Sequence, residues 1–277
     1  MTETTSTDSD RSPLFGSTGR LTTVGSRTRD TLVNYAPVLA LFVAWELAGI
    51  VNALPYYLPA PSVIVQEIFE LLQDGVLVPN ASASLQLVYV GFFGGAALGI
   101  LSGLVTGRVD TLGKLFDPLI SITYPIPKIA LFPIFLIWFG LGFTSKVVVV
   151  FLAAFYPTYI YTYDGAKGVN DLYIWSARNF NASRTRVFLT VVLPSCLPQI
   201  LSGLRVSLAL AFVVIFSVEL IASQIGLGSL IVSAQQSNNF ELMFASIAVI
   251  GTLGFVHDRA LLLVRNRILS WNSGGEE

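Results

Sequence analysis

The sequence predicts an all-α membrane protein with six transmembrane helices and with both termini in the cytosol. Three observations lead to this fold class. Of the 277 residues, 53% are hydrophobic and only 12% are charged, whereas about 25% are charged in an ordinary soluble domain. Six apolar stretches approach or exceed the roughly 20 residues that a helix needs to cross a bilayer. The Lys and Arg residues gather on one side of the bilayer that these stretches define.

The first 30 residues differ in composition from everything that follows them. Thirteen of them are Ser or Thr and few are apolar, so this segment cannot bury enough surface to fold alone. We predict a disordered cytosolic tail over residues 1–30. A first transmembrane helix with an external segment follows over residues 31–75. The main transmembrane domain covers residues 78–265, and residues 266–277 form a cytosolic C-terminal tail.

The six predicted spans are the longest apolar runs in the chain. The third and fourth are nearly continuous and are separated at residues 140–144, which suits a tight external turn. Pro125, Pro127 and Pro133 make the third run irregular, so we expect a broken or late-starting helix there. The predicted spans cover residues 32–51, 84–106, 125–141, 146–163, 203–223 and 242–263.

The Lys and Arg residues test this number of spans, because cytosolic loops carry an excess of them. The predicted external segments, residues 52–83 and 224–241, contain neither. Lys146 is the single external exception, while Lys128 and Arg205 fall near the cytosolic ends of spans three and five. The others fall in the N-terminal tail or at cytosolic positions: Arg108, Lys114, Lys167, Arg178, Arg184, Arg186, Arg259, Arg265 and Arg267.

The second span carries a glycine at every fourth position over four turns of helix. Such spacing places the glycines on one face, where a neighbouring helix can approach closely. The stripe is either a packing seam within one subunit, a seam between the two subunits of a dimer, or a sliding surface. Its members are Gly91, Gly95, Gly99, Gly103 and Gly107.

Glu219 is the deepest ionisable residue within the predicted spans. A carboxylate at that depth is costly unless it faces a wet cavity or a hydrogen-bonding partner. We therefore expect either a polar group between helices or a group that lines or gates a pathway. An intramembrane enzyme would need paired catalytic groups, and Glu46 with Glu219 does not supply them. With a net charge of −1, one Cys and one His, the composition also argues against a nucleic-acid binder, a cofactor site and a metal cluster.

The cytosolic loop between spans four and five has helical periodicity. Residues 172–180 and 184–192 both show apolar residues at helical spacing. Asn181 between them tolerates a left-handed turn, and Ser183 is a good N-cap for the second piece. We expect Pro194 and Pro198 to end that helix before span five. The loop is either a compact docking element or an amphipathic segment that lies on the lipid.

Three separated motifs in this chain resemble those of ABC importer permeases. Residues 175–204, WSARNFNASRTRVFLTVVLPSCLPQILSGL, resemble the "EAA" loop of these permeases. Residues 124–142, YPIPKIALFPIFLIWFGLG, are similar to the nitrate, sulfonate, taurine and bicarbonate subgroup, as are residues 226–244 and 258–271. Altogether the resemblance covers about residues 35–271. The positions in register with the loop motif are Ala177, Asn181, Leu193, Pro194, Pro198, Gly203 and Leu204.

The loop departs from the family pattern at two places. Trp175, Ser176 and Ala177 stand where the pattern has Glu-Ala-Ala, and Asn181 stands where it has Gly. The resemblance implies that this loop is the coupling segment to which an ATPase docks. The residues that it assigns to ATPase coupling are Trp175, Ser176, Ala177, Arg178, Asn181, Ala182, Ser183 and Arg184.

The resemblance also implies how the chain works. Two permease chains, two copies of the same subunit, form the pathway in a prokaryotic plasma membrane. Two separate ATPase subunits hydrolyse ATP, so this chain is a transport subunit and not an enzyme, and an extracytoplasmic solute-binding protein delivers the substrate. The implied substrate is a small oxyanion or sulfonate such as nitrate, a sulfonate, taurine or bicarbonate. The alternatives are a vitamin precursor of the thiamine-pyrimidine or riboflavin type, or an ion-coupled secondary transporter, which would need an internal repeat that we do not find.

Overall fold

The computed structural model describes residues 23–269, and side chains from residue 36 onward. Every regular element in this range is a helix, which confirms the all-α class. The first helix, α1, belongs to a unit that ends at Leu54, and the remaining helices form a second unit that begins at Pro55. The helices are α1 (Thr23–Ile50), α2 (Pro61–Gln73), α3 (Leu77–Arg108), α4 (Asp110–Thr123), α5 (Phe132–Phe139), α6 (Phe143–Lys167), α7 (Asp171–Asn179), α8 (Arg184–Val187), α9 (Leu193–Ala222), α10 (Leu227–Gln236) and α11 (Phe240–Ile268).

Four helical stretches in the described residues are long and apolar enough to cross a membrane: Leu77–Arg108, Phe143–Lys167, Arg184–Ala222 and Phe240–Ile268. The pair Asp110–Thr123 and Lys128–Phe139 is bent by 85° and makes a fifth if it counts as one span. The first predicted span falls on α1. Helix α1 runs over Thr23–Ile50, and its apolar stretch within the described side chains is Ala36–Ile50.

The third predicted span is a broken helix that begins earlier than the apolar run indicates. Helix α4 precedes the break and was not predicted, because its polar residues interrupt the apolar pattern. Pro125 and Pro127 lie in the break, and Lys128 closes it. The ammonium of Lys128 lies 4.0 Å from the centre of the Tyr156 ring. It donates hydrogen bonds of 2.8 to 2.9 Å to the backbone carbonyls of Thr123, Tyr124 and Ile126.

The glycine stripe of α3 packs against α6. A Cβ added at any of the five glycines would lie only 2.6 to 3.0 Å from the Cβ of a residue in α6. Gly91 faces Val150 and Gly107 faces Ala166, and in both pairs the second residue is 59 positions further along the chain. The other three pairs keep the same offset: Gly95 with Ala154, Gly99 with Thr158 and Gly103 with Thr162. A constant offset means that α3 and α6 run parallel and in register.

This parallel packing fixes the path of the chain between the two helices. Because α3 and α6 start at the same end of the bundle, α4 and α5 together must return the chain to that end. Helix α9 runs antiparallel to α6, since Gly165 faces Gln199 while Gly203 faces Tyr161. The end of the bundle at which α6 finishes therefore also holds the loop over residues 168–183. The start of α6 lies beside the end of α9 at the opposite end.

Helix α11 is attached to this bundle by polar side chains. The Arg205 guanidinium on α9 binds the Asp258 carboxylate with N···O distances of 2.6 and 3.1 Å. His257 contacts the hydroxyl of Tyr89 on α3, and its other ring nitrogen lies 2.7 Å from the Leu253 carbonyl. These contacts place α11 against both α3 and α9.

The prediction that Pro194 and Pro198 end the second loop helix is wrong. Helix α8 continues through a π-helical turn over Phe188–Val192 into α9, so that one helical stretch runs over Arg184–Ala222. Pro194 lies in the first turn of α9, where a proline is tolerated, and Pro198 lies inside α9 without ending it. The second helix of the loop and the fifth predicted span are therefore one continuous helical stretch.

We expect the substitution Gly99→Ala to destabilise the bundle. The added Cβ would lie 2.9 Å from the Phe155 carbonyl oxygen and 3.0 Å from the Thr158 Cβ, and overpacking of this kind costs about 1 to 3 kcal/mol. The measurement is the unfolding temperature of the purified protein in detergent. Gly251→Ala on α11 is the matched control, because no atom lies within 4 Å of its added Cβ. Equal unfolding temperatures for the two variants would contradict the packing role of the stripe.

Candidate functional site

The loop between α6 and α9 folds as a helix, a turn and a second helix. Asn170 caps α7, since its side-chain oxygen accepts a hydrogen bond of 2.9 Å from the Leu172 N–H. Asn181 adopts the left-handed conformation with φ of 57°, and Ser183 caps α8 by accepting a bond of 3.3 Å from the Arg186 N–H. Both the Asn181 turn and the Ser183 cap follow the sequence prediction. The cap at Asn170 was missed, although an Asn before an acidic first turn is a readable signal.

The inner side of this loop is packed against the ends of the membrane helices. Ile174 of α7 and Val187 of α8 are buried in a cluster with Ala166 and Cys196. Of the residues predicted to couple to an ATPase, Ala177 and Ala182 pack at the edge of this cluster. The other six are exposed: Trp175, Ser176, Arg178, Asn181, Ser183 and Arg184. The loop is thus a compact element that rests on the core.

The outer side of the loop exposes large apolar side chains. Trp175 is 61% exposed and Phe180 is 88% exposed. Leu172 and Tyr173 are exposed beside them on α7. We call these four residues the apolar loop face. Exposed apolar groups that cluster on a rigid element are typical of a surface that binds a partner.

Glu219 lies at the opposite end of the bundle and is only 1% exposed. Its carboxylate accepts hydrogen bonds from the Ser84 hydroxyl on α3, at 2.7 and 2.9 Å, and from the Gly228 N–H at 2.9 Å. The Ser84 oxygen accepts in turn from the Leu227 N–H at 2.9 Å. Asn80 of α3 accepts from the Gly226 N–H at 2.9 Å. Side chains from two helices therefore bind three successive amides at the start of α10.

The two glycines in this network leave room for the carboxylate. Gly226 has φ of 135°, and an added Cβ there would lie 2.4 Å from a carboxylate oxygen of Glu219. At Gly228 an added Cβ would lie 2.5 Å from the Glu219 Cβ. A carboxylate at a helix N-terminus is stabilised by the unpaired amides and the helix dipole. Glu219 thus links α9 to α3 and α10, and it also lines a cavity.

That cavity has a volume of about 630 Å³ and lies between the ends of α3, α6 and α9. Gln86, Lys146, Ser223 and Gln224 are its polar lining residues beside Glu219. The sequence marks Lys146 only as the one basic residue at a predicted external position, and it did not lead us to Asn80 or Ser84. Nothing in the pattern of α3 marks these two residues, because the partners they bind are more than 130 positions away.

Residues 95–270 match the family described as the binding-protein-dependent transport system inner membrane component. The chain belongs to this family. It is the multi-pass membrane permease of an ABC importer, so ATP hydrolysis belongs to a separate ATPase subunit, and the resemblance of its sequence motifs is confirmed.

Several relatives resemble the permease over most of its length. The taurine transport system permease protein TauC of Escherichia coli is 32% identical over 84% of this chain and 86% of its own length. The putative aliphatic sulfonates transport permease protein SsuC of Bacillus subtilis is 31% identical over 87% of both chains. The formylaminopyrimidine transport permease protein ThiX of Halalkalibacterium halodurans is 32% identical over 84% of this chain and 93% of its own.

The fold also matches a solved structure. An inward-facing structure of the MetNI methionine ABC transporter superposes on the permease with a TM-score of 0.62 and 17% sequence identity. The match covers 70% of this chain and 96% of that chain. At this identity the likeness concerns the arrangement of helices alone.

We expect Ser84→Ala to loosen the start of α10. The substitution leaves the Leu227 N–H without its acceptor and removes one of the two groups that donate to the buried Glu219 carboxylate. Each lost partner costs about 1 to 3 kcal/mol. Ser82→Ala is the matched control, since the Ser82 hydroxyl binds only the Pro79 carbonyl of its own helix. Hydrogen exchange of the α10 amides in the purified protein is the measurement. Equal exchange in the two variants would contradict the anchoring role.

Proposed function

We propose that the permease forms the pathway of an ATP-driven importer for a small sulfonate or related oxyanion. Two relatives that match most of the chain, TauC and SsuC, are named for taurine and aliphatic sulfonates, and this is the observation that carries the substrate class. A formylaminopyrimidine-type precursor is the second candidate, because ThiX matches a similar share of the chain. In either case an extracytoplasmic binding protein delivers the substrate to the permease.

The permease has six spans, with both termini on the cytosolic side of a prokaryotic plasma membrane. Helix α1 supplies the first span, and the bent pair of α4 and α5 supplies the third. The charge of the two ends supports this orientation. Arg108, Lys167, Arg178, Arg184 and Arg186 lie at the loop end, as the positive-inside rule requires for the cytosol.

The opposite end of the bundle, where α10 and α11 begin, is acidic and faces the outside. Glu67 and Glu70 on α2 approach Glu241 at the start of α11. Burial raises the pKa of Glu67, and repulsion from Glu70, Glu241 and Asp74 raises it further. Among the described residues of this end, Lys146 is the sole Lys or Arg.

The loop over residues 168–183 passes the conformational change of the ATPase on to the transmembrane helices. An ATPase subunit binds the apolar loop face, and Trp175 replaces the family Glu as a docking group. Because α8 and α9 are one helical stretch, Arg184–Ala222, movement of the loop reaches the other end of the bundle over roughly 58 Å at 1.5 Å per residue. Glu219 and the start of α10 lie at that far end, so the helix links the docking surface to the external mouth.

A second copy of the permease completes the pathway. The break between α4 and α5 borders a cavity of about 300 Å³, lined on one side by Tyr156 and on the other by Val213. Tyr124 and Val213 at its rim are exposed, as are the α5 side chains Ile137 and Trp138. An equivalent apolar face on a second chain covers this surface and encloses the route. Two ATPase subunits then serve the two loops.

We expect Asn181→Pro to uncouple transport from ATP hydrolysis. Proline fixes φ near −65°, whereas the turn between α7 and α8 needs φ of 57°, so the apolar loop face is displaced. Asn181→Gly is the matched control, because glycine adopts positive φ without strain. The measurements are co-purification of the ATPase and ATP-dependent uptake. We expect at least a tenfold loss of uptake for the proline variant, which corresponds to about 1.4 kcal/mol; full uptake with Asn181→Pro would contradict the coupling role.

A further inference from the structure

The cavity beside Glu219 has the size and composition of a site for a small polar molecule. Its volume of about 630 Å³ falls within the range of roughly 300 to 1,000 Å³ that ligand sites occupy. The polar side chains of Gln86, Lys146 and Gln224 line it together with apolar groups of α3, α6 and α10. It opens at the end of the bundle that the proposed orientation places outside.

Lys146 supplies a cationic group to this cavity. Lys146 lies in the first turn of α6 and is partly buried. Its ammonium donates one hydrogen bond of 2.8 Å to the Ser223 hydroxyl. An ammonium carries three N–H donors, so a single bond leaves two of them to be satisfied from the cavity. Lys128, in contrast, donates three hydrogen bonds to backbone carbonyls at the break between α4 and α5. Of these two lysines, Lys146 is therefore the one whose ammonium has N–H donors for a further acceptor.

The neighbouring carboxylate does not take up these donors. Glu219 attracts Lys146 electrostatically, yet the bonds of its oxygens go to the Ser84 hydroxyl and the Gly228 N–H. The N-terminal dipole of α10 further offsets its negative charge. The lining of the cavity thus offers an anion the Lys146 ammonium and the neutral side-chain amides of Gln86 and Gln224. The Ser223 hydroxyl is already bonded, since it accepts from Lys146 and donates to the Ile225 carbonyl at 2.6 Å.

We propose that Lys146 binds the anionic group of the substrate as the substrate passes from the binding protein into the external mouth of the permease. This inference rests on the proposed function for the orientation and for the anionic class. Sulfonate or another oxyanion accepts charge-assisted hydrogen bonds from an ammonium, which are about twice as strong as neutral ones. The hydrogen bond to Ser223 holds the ammonium at the edge of the cavity. Because Ser223 directly follows α9, a movement of α9 carries the ammonium along as the external mouth opens.

The experiment measures ATP-dependent uptake of radiolabelled taurine and ethanesulfonate by the complete complex in proteoliposomes, per amount of assembled complex. We expect Lys146→Gln to lower the uptake about tenfold or more. Lys146→Arg keeps the charge and is expected to retain most of the uptake. Ser223→Ala removes the tether but keeps the ammonium, and so should lower the uptake less than Lys146→Gln does.

Thiol chemistry separates the charge of Lys146 from its packing. The chain has one cysteine, Cys196, which is buried with 0% of its side chain exposed, so a Lys146→Cys variant can be labelled selectively. Modification with an aminoethyl methanethiosulfonate restores a cation, whereas the sulfonatoethyl reagent adds an anion of similar size. We expect the first reagent to restore uptake and the second to abolish it.

Three kinds of result would overturn this assignment in different ways. If wild-type complex imports the probes and Lys146→Gln matches it, or if both reagents restore uptake equally, Lys146 has no role in binding the anion. If Ser223→Ala loses as much uptake as Lys146→Gln, the lysine is a tether between α6 and α9. If the wild-type complex imports neither probe, the sulfonate class itself fails, and the role of Lys146 fails with it.

Discussion

The close parallel packing of α3 on α6 is the constraint on which the rest of this structure depends. Five glycines repeat every fourth residue and meet α6 at a constant offset, from Gly91 with Val150 to Gly107 with Ala166. Because the glycines carry no side chains on this face, α6 approaches α3 closely along the whole stripe. This parallel contact forces α4 and α5 to bring the chain back, and it defines which loops share an end of the bundle.

The two ends of the bundle are built differently, and α9 connects them. One end presents a capped helix and turn with an exposed apolar surface that includes Phe180. The other end holds the buried Glu219 network and a cavity with Lys146. Under the proposed function, the first end receives the force of the ATPase, α9 transmits it, and the second end is the external mouth that responds.

Much of this arrangement is readable from the sequence, since it depends on local composition. Apolar runs, the glycine spacing and the Asn181 turn each follow from residues close together in the chain. The network around Glu219 does not, because its partner Ser84 lies 135 positions away and a lone serine in a helix carries no signal. Helix α4 and the continuity of α9 through Pro194 were also missed. In both cases tertiary packing stabilises a helix where the local sequence disfavours it, through polar residues in α4 and a proline in α9.

The most direct test of the central claim is uptake by proteoliposomes that contain the permease, its ATPase and its binding protein, with all ion gradients collapsed by ionophores. An ATP-driven importer predicts that labelled taurine accumulates only when ATP, ATPase and binding protein are all present. Accumulation by the permease alone, driven by an imposed ion gradient and indifferent to ATP, would contradict it and identify a secondary transporter instead.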